Sequence, residues 1–343
     1  MFLHYRALTC YRHPTNASPP ARFARIASIF LTLSLLLVIF QATPALGQEP
    51  ADEVVRVRTD LITVPLFVTD REGHRVAGLK QQDFILRDNG RAMEMAYFSS
   101  GTDRVALLFA LDASGSARDI ITRQREAALA LFSRFGSDSR VAVMRFTETA
   151  ALAASFLMNP GRALEAFNFP AMPGRRTAIF DAAMTGVRSF DMPDRAERRI
   201  VILMSDGLDT ASTTSASKVI GEALERGVSF YVIHLPIFEP RDGRLRVRPP
   251  AKGFRDLAEK TGGKYFLFGD VKTALTPVAR YDLSPVFQAI EDDLRGQYLL
   301  GYYPDEASRD NLPHRIEVGF AGSGNRRLSV RVLRSSYVLK KIE

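Results

Sequence analysis

Five nearly continuous apolar runs dominate the middle of the chain: VALLFAL (105–111), RVAVMRF (140–146), RIVILMS (199–205), VSFYVIH (228–234) and KYFLF (264–268). A strand apolar on both faces has to be covered on both faces, which is the condition of a mostly parallel sheet. The segments between them, such as QREAALALFSRF and FDAAMTGVRSF, repeat at the helical period and supply that cover. The pattern therefore predicts an α/β fold, a doubly wound and mostly parallel sheet. Its βα loops collect at the carboxyl ends of the strands, where such sheets bind ligands.

The flanks read differently. Residues 54–100 form short alternating strands, VVRVRTDLITVPLFVTD, DFILRD and MEMAYFS, with turns at residues 71–74 and at Asn89-Gly90. After a helix expected to open with Ser284 as N-cap and Pro285 at its first position, and to stop at Gly296, the strands QYLLGYY, HRIEVGF and RLSVRVL alternate again. Neither flank is long enough to bury a core alone. We therefore expect the two to fold together into a small β-sandwich from which the α/β domain emerges as an insertion. The expected organisation is a signal peptide at 1–47, an N-terminal β segment at 48–103, the α/β domain at 104–296 and a C-terminal β segment at 297–343.

The leader reading rests on Arg6, Arg12, Arg22 and Arg25 ahead of the apolar run IASIFLTLSLLLVIF, followed by Ala45-Leu46-Gly47 with small residues at −3 and −1. Fifteen apolar residues are short for a span that needs about 20, so cleavage is expected and an uncleaved anchor is the rival. The protein is thus expected to be exported, periplasmic or secreted, and membrane-tethered only if the segment is retained. Cys10 is the one cysteine of the chain, which excludes an internal disulfide and a multi-cysteine metal site.

The first run ends in Asp112-Ala113-Ser114-Gly115-Ser116. Thr177 stands just before the helix AIFDAAM, and Asp206 ends the third run in Ser205-Asp206-Gly207. All five oxygen-bearing side chains fall at the carboxyl edge of one sheet. Hard oxygen donors, two of them carboxylates and with no histidine or thiolate beside them, match Mg²⁺ or Mn²⁺ rather than zinc. If the three hydroxyls ligate directly and the carboxylates act partly through water, the cation stays electrophilic and attracts an outside carboxylate. The plainer alternative is that Asp112 caps the next helix while the serines satisfy loop amides.

LDASGSA, the later Thr177 and MSDGLD resemble the metal-ion-dependent adhesion site of von Willebrand factor type A (VWFA) domains, over roughly residues 104–296. The flanking strings VPLFVTDREGHRVAGLKQQDFILRDNG and LRGQYLLGYYP are similar to those of exported VWFA-related proteins abundant in acidobacteria. The resemblance implies a Rossmann-like VWA fold, with Asp112, Ser114 and Ser116 on the first ligand loop, Thr177 on the second and Asp206 on the third. One departure is Gly174-Arg175-Arg176, where the family usually carries small glycines. Arg175 and Arg176 either clamp an acidic ligand, repel the cation, or pair with Asp181 or Asp119.

A long basic loop at 235–253, with Arg241, Arg244, Arg246, Arg248 and Lys252, should project from the same edge and is a candidate partner contact. His234 ends a buried strand and reads as a structural histidine, while Asp209 is either a supporting acceptor or an ordinary turn aspartate. No phosphate-binding glycine motif occurs. The expectation is an exported, divalent-cation-dependent binding or adhesion module that captures an Asp or Glu carboxylate of a protein partner. It is not expected to be an enzyme, since hydrolysis on the same ion needs a general base that these loops lack; a structural or assembly role in a cell-envelope complex is the first alternative, and a metal-dependent hydrolase the weaker one. Net charge supports a protein over a nucleic acid: the formal +8 falls to +4 once the four leader arginines are set aside.

Overall fold

A computed structural model describes residues 60–114, 117–170, 176–190, 196–271, 282–322 and 327–341. The expected leader lies outside them. The central sheet has six strands in the order β12 (Tyr265–Leu267), β9 (Val228–His234), β8 (Arg198–Ser205), β5 (Val105–Asp112), β6 (Arg140–Phe146) and β7 (Ala150–Leu157). All its pairings are parallel except β6 with β7. β5 lies at the centre and is buried at every position. Its side chains alternate between two cores. Leu107, Phe109 and Leu111 pack with α1 (Ala117–Ile121), α2 (Arg125–Phe132), α3 (Pro160–Leu164) and α7 (Ser284–Arg295). Ala106, Leu108 and Ala110 face α4 (Ile179–Arg188), α5 (Ala216–Glu225) and α6 (Phe254–Thr261). This is the doubly wound α/β arrangement that the apolar runs require.

Three features depart from the sequence reading. β7 was not expected: its small residues AALAASFL carry no polar alternation, and only pairing with β6, through an irregular register, makes it a strand. The basic loop at 235–253 is instead a hairpin of β10 (Phe238–Arg241) and β11 (Arg244–Val247). Asp242 and Gly243 both take positive φ (52° and 72°), as a two-residue hairpin turn demands, and that Asp-Gly was the signal to read. Finally, Ser284 is the first helical residue rather than the cap. Leu283 holds the N-cap position, and the Asp282 side chain accepts the Ser284 amide at 2.9 Å.

The flanks join. One antiparallel sheet runs β15 (Ser329–Val332), β1 (Ile62–Thr69), β13 (Gln297–Tyr302), β4 (Tyr97–Ser100), and the other β16 (Ser336–Val338), β14 (Pro313–Phe320), β2 (Phe84–Asp88), β3 (Arg91–Met93). Each contains strands from both ends of the chain, and Val64, Leu66, Phe84, Leu86, Tyr298 and Leu300 share one core between them. The α/β domain enters after β4 and returns through α7 into β13. Those two strands are neighbours, with Ser100 opposite Tyr298, so an insertion costs the sandwich no separation of its ends.

Polar side chains seal the junction. The Asp293 carboxylate on α7 accepts from Arg75 Nε at 2.8 Å and from the Tyr231 hydroxyl at 2.7 Å, and pairs with Lys264 Nζ at 2.8 Å. Arg75, from the turn after β1, also donates to the Gly262 carbonyl and lies over the Phe67 ring. Nearby, the buried Arg198 guanidinium donates to the carbonyls of Leu294 and Ser99, linking the base of β8 to α7 and β4.

Candidate functional site

β5 and β8 end side by side at the carboxyl edge of the sheet, which puts Asp112 and Asp206 on adjacent loops. Thr177 stands one loop away, immediately ahead of α4. Thr177, Ser114 and Asp112 form one hydrogen-bonded chain, and the Asp206 carboxylate acts on Asp112 through its charge. Thr177 Oγ1 donates to Ser114 Oγ at 2.8 Å, and Ser114 Oγ donates to Asp112 Oδ1 at 2.5 Å. On the other side Ser205 Oγ donates to Asp112 Oδ2 at 2.6 Å. Asp206 Oδ1 accepts the Leu208 amide at 2.9 Å. All five side chains are buried. Ser116 and Arg175 lie outside the described residues.

Burying two carboxylates this close is electrostatically unfavourable. Burial drives the Asp112 pKa from 3.8 up to about 6, helped by the charge of Asp206 and opposed by the hydrogen bonds from Ser114 and Ser205. Burial also raises Asp206, against the Leu208 amide and the charge of Arg248. Neither carboxylate forms an ion pair with a lysine or arginine among the described residues. A raised folded-state pKa means that stability is greatest below the unfolded value and is lost as pH rises through the folded one. In EDTA, the protein is therefore expected to lose about 3 kcal/mol between roughly pH 4 and pH 6 from Asp112 alone. Chemical denaturation across that window should show a loss in wild type that is clearly smaller in Asp112→Asn, where only Asp206 of the pair remains raised.

Ser205 is the residue that the sequence reading passed over. It ends β8 one position before Asp206, and its hydroxyl both fixes Asp112 and accepts the Gly207 amide at 3.1 Å. His234 supports the third loop from below. Its Nε2 is 2.9 Å from the Asp206 carbonyl oxygen, which makes that nitrogen the donor, and Nδ1 faces the Tyr265 hydroxyl at 2.5 Å. Burial lowers its pKa and keeps the ring neutral, as a structural histidine should be. Gly207 closes the loop at φ +82°, where an added Cβ would meet Pro250 Cβ at 2.7 Å. Gly207→Ala is thus expected to cost about 1–3 kcal/mol in a thermal melt and to weaken cation binding by displacing Asp206.

The basic residues take distinct places. The Arg176 guanidinium donates to the Thr210 carbonyl (3.1 Å from Nε) and its amide approaches Glu148 Oε1 at 3.4 Å, so it ties the second loop to the third. Asp181 does not pair with it and instead accepts the amides of Thr213 and Thr214 at 2.9 and 2.8 Å. Asp209 accepts the amides of Phe180, Ala211 and Ser212, holding the start of α4. Arg244 and Arg246 are exposed on the β10–β11 hairpin, Arg246 with Asp242 at 3.9 Å. The base of that hairpin reaches the site, since the Ala251 amide donates to the Gly207 carbonyl at 2.8 Å.

Residues 107–208, which carry the whole cluster, match a family model described as the von Willebrand factor type A domain. The chain carries a VWA domain. A search of curated proteins gives no match. Among solved structures, an aerotolerance-related membrane protein from Bacteroides fragilis is 18% identical over 55% of this chain and 98% of its own, with a TM-score of 0.42. A von Willebrand factor type A protein from Catenulispora acidiphila is 14% identical over 82% and 74%, with a TM-score of 0.43. Proximal thread matrix protein 1 from the mussel byssus, in a form described as having a zinc-occupied MIDAS motif, is 16% identical over 60% and 49%, with a TM-score of 0.45.

The VWA cluster suits a divalent cation on its own chemistry. Its donors are oxygens only, two of them carboxylates that repel one another and, among the described residues, lack an ion-pair partner, which is a charge imbalance a cation removes. A second oxygen-rich group lies elsewhere, where Asp70, Glu72 and His74 bring ligand atoms within 4.8 Å of one another. It sits on an exposed turn in which His74 and Asp70 already satisfy each other at 3.4 Å.

Proposed function

We propose that the VWA domain is a divalent-cation-dependent capture site for a carboxylate of a protein partner, carried by an exported protein. The observation that carries this is the convergence of Asp112, Ser114, Thr177 and Asp206 into one buried cluster at the carboxyl edge of the sheet. Asp112, Ser114, Thr177, Asp206 and, from its place in the motif, Ser116 would hold Mg²⁺ or Mn²⁺. The bound cation supplies an electrophilic position that an aspartate or glutamate of the partner can occupy.

The protein's own groups prepare that position. Ser205 and Ser114 orient Asp112, His234 holds the Asp206 backbone, and Arg176 locks the two remaining loops together. Binding is favoured over catalysis because His234, the histidine that supports the third loop, has both ring nitrogens engaged, with the Asp206 carbonyl and the Tyr265 hydroxyl. Export is supported by the leader-like residues 1–47, four arginines followed by an apolar run and small residues at −3 and −1.

The test is affinity capture from a cell-envelope extract by full-length wild type in magnesium, by wild type in EDTA, and by Thr177→Ala in magnesium. A partner retained in the first and lost in the other two is the expected result. Retention of the same partner in all three would sink cation-mediated capture.

A further inference from the structure

The site has a neighbour that the family motif does not include. A pocket of about 300 Å³ opens beside it, lined by Ala113, Arg145, Phe146, Thr147, Thr149, and Ala151 to Ala153 of β7. Ala113 stands between Asp112 and Ser114, and Asp112 pairs in register with Phe146 on the adjacent strand. The pocket wall and the cation cluster thus share a loop.

Arg145 gives this pocket its chemistry. Along β6, Val141 and Val143 face one core while Ala142, Met144 and Phe146 face the other, so alternation turns Arg145 to the side of the first loop and α1. Its guanidinium carbon is 5.7 Å from the centroid of buried Phe169, within cation–π range, which gives a long side chain a platform. Among the described residues it has no carboxylate partner. The nearest acid in sequence, Glu148, accepts instead from the Arg176 amide at 3.4 Å. Thr147 and Thr149 add hydroxyl groups to the rim. A half-buried, partnerless guanidinium with hydroxyl neighbours recognises an oxyanion, and its planar fork suits a carboxylate.

We propose that this pocket is a second anionic subsite, so that the partner presents two acidic side chains on one segment, one for the cation and one for Arg145. The inference rests on the capture reading for the first carboxylate, while the Arg145 subsite itself needs no cation. An extended segment places alternate side chains on one face, which allows one acid to reach each subsite. The pairing would explain how an edge of this kind distinguishes its partner from the many proteins that expose a single carboxylate.

The experiment uses full-length ¹⁵N-labelled protein and capped peptides carrying either one aspartate or two aspartates separated by zero to three glycines. In EDTA, the two-aspartate peptides should shift the amides of Thr147, Thr149 and Ala151 in wild type and in Thr177→Ala, and not in Arg145→Gln. In magnesium, the best two-aspartate peptide should bind about tenfold more tightly than the one-aspartate peptide, as a charge-assisted contact allows. Arg145→Gln should erase that advantage and leave magnesium affinity and one-aspartate binding as in wild type. Arg145→Lys, which keeps the charge without the fork, should retain part of it. A two-aspartate advantage that persists in Arg145→Gln, or pocket amides that stay unmoved in EDTA, overturns the subsite. Loss of all magnesium-dependent binding with the EDTA shifts intact overturns the capture reading and leaves the subsite standing.

Discussion

Magnesium is expected to raise the melting temperature of the wild-type protein at pH 7 and to leave Asp112→Ala where it was. Asp112 and Asp206 are buried together with no ion-paired lysine or arginine among the described residues, so a cation that binds the folded state relieves their repulsion. At a free concentration a hundredfold above the dissociation constant, linkage predicts about 2.7 kcal/mol of added stability. Asp112→Ala removes the carboxylate that Ser114 and Ser205 both address, and should lower magnesium affinity by more than 100-fold. Ser205→Ala leaves every proposed ligand in place and frees only one oxygen of Asp112, so its loss should fall in the 10–100-fold range typical of a residue that orients a ligand. Calorimetric titration of the three proteins checks the order. Equal magnesium affinity in all of them would remove Asp112 from the site.

Asp293→Ala should be the most destabilising single change at the junction, at about 3–5 kcal/mol. The side chain is fully buried, at 0% exposure, and takes Arg75, Lys264 and Tyr231 at once. Burial alone would raise its pKa, but the bonds and charge from Arg75, with those from Lys264 and Tyr231, reverse this and hold it below the ordinary 3.8. That stabilisation is present above the unfolded value and is lost as pH falls through the folded one. Truncation leaves a guanidinium and a phenol facing a void, whereas Asp293→Asn keeps their acceptor and should cost clearly less. Urea unfolding at pH 7 measures both. An Ala variant within 1 kcal/mol of wild type would mean that the polar junction contributes little.

How much of this was legible beforehand varies with the physics. β5, β6, β8 and β9 could be read directly, because a strand covered on both faces has to be apolar throughout, and the loops that follow them were placed by the same rule. Asp112, Ser114, Thr177 and Asp206 were accessible for that reason, each lying at a strand end or a helix start. β7 was not, since a run of small residues carries no period and takes its conformation from β6. Asp242-Gly243 carries a turn signal legible in the sequence, because a two-residue hairpin turn requires the positive φ that these two residues take. Ser205 and His234 looked like ordinary strand residues, and only their geometry shows that one steers Asp112 while the other holds Asp206.

The sequence by itself determined the fold class and the chemistry available at the sheet edge, because hydrophobic periodicity and residue type are local properties of the chain. Tertiary structure alone decided which groups meet. Residues 75 and 293, 112 and 205, and 145 and 169 are brought together by packing across long stretches of chain, and no local pattern encodes such pairs. It also decided charge state: Asp112 and Asp293 are the same residue type, yet burial beside Asp206 raises one while Arg75 and Lys264 lower the other.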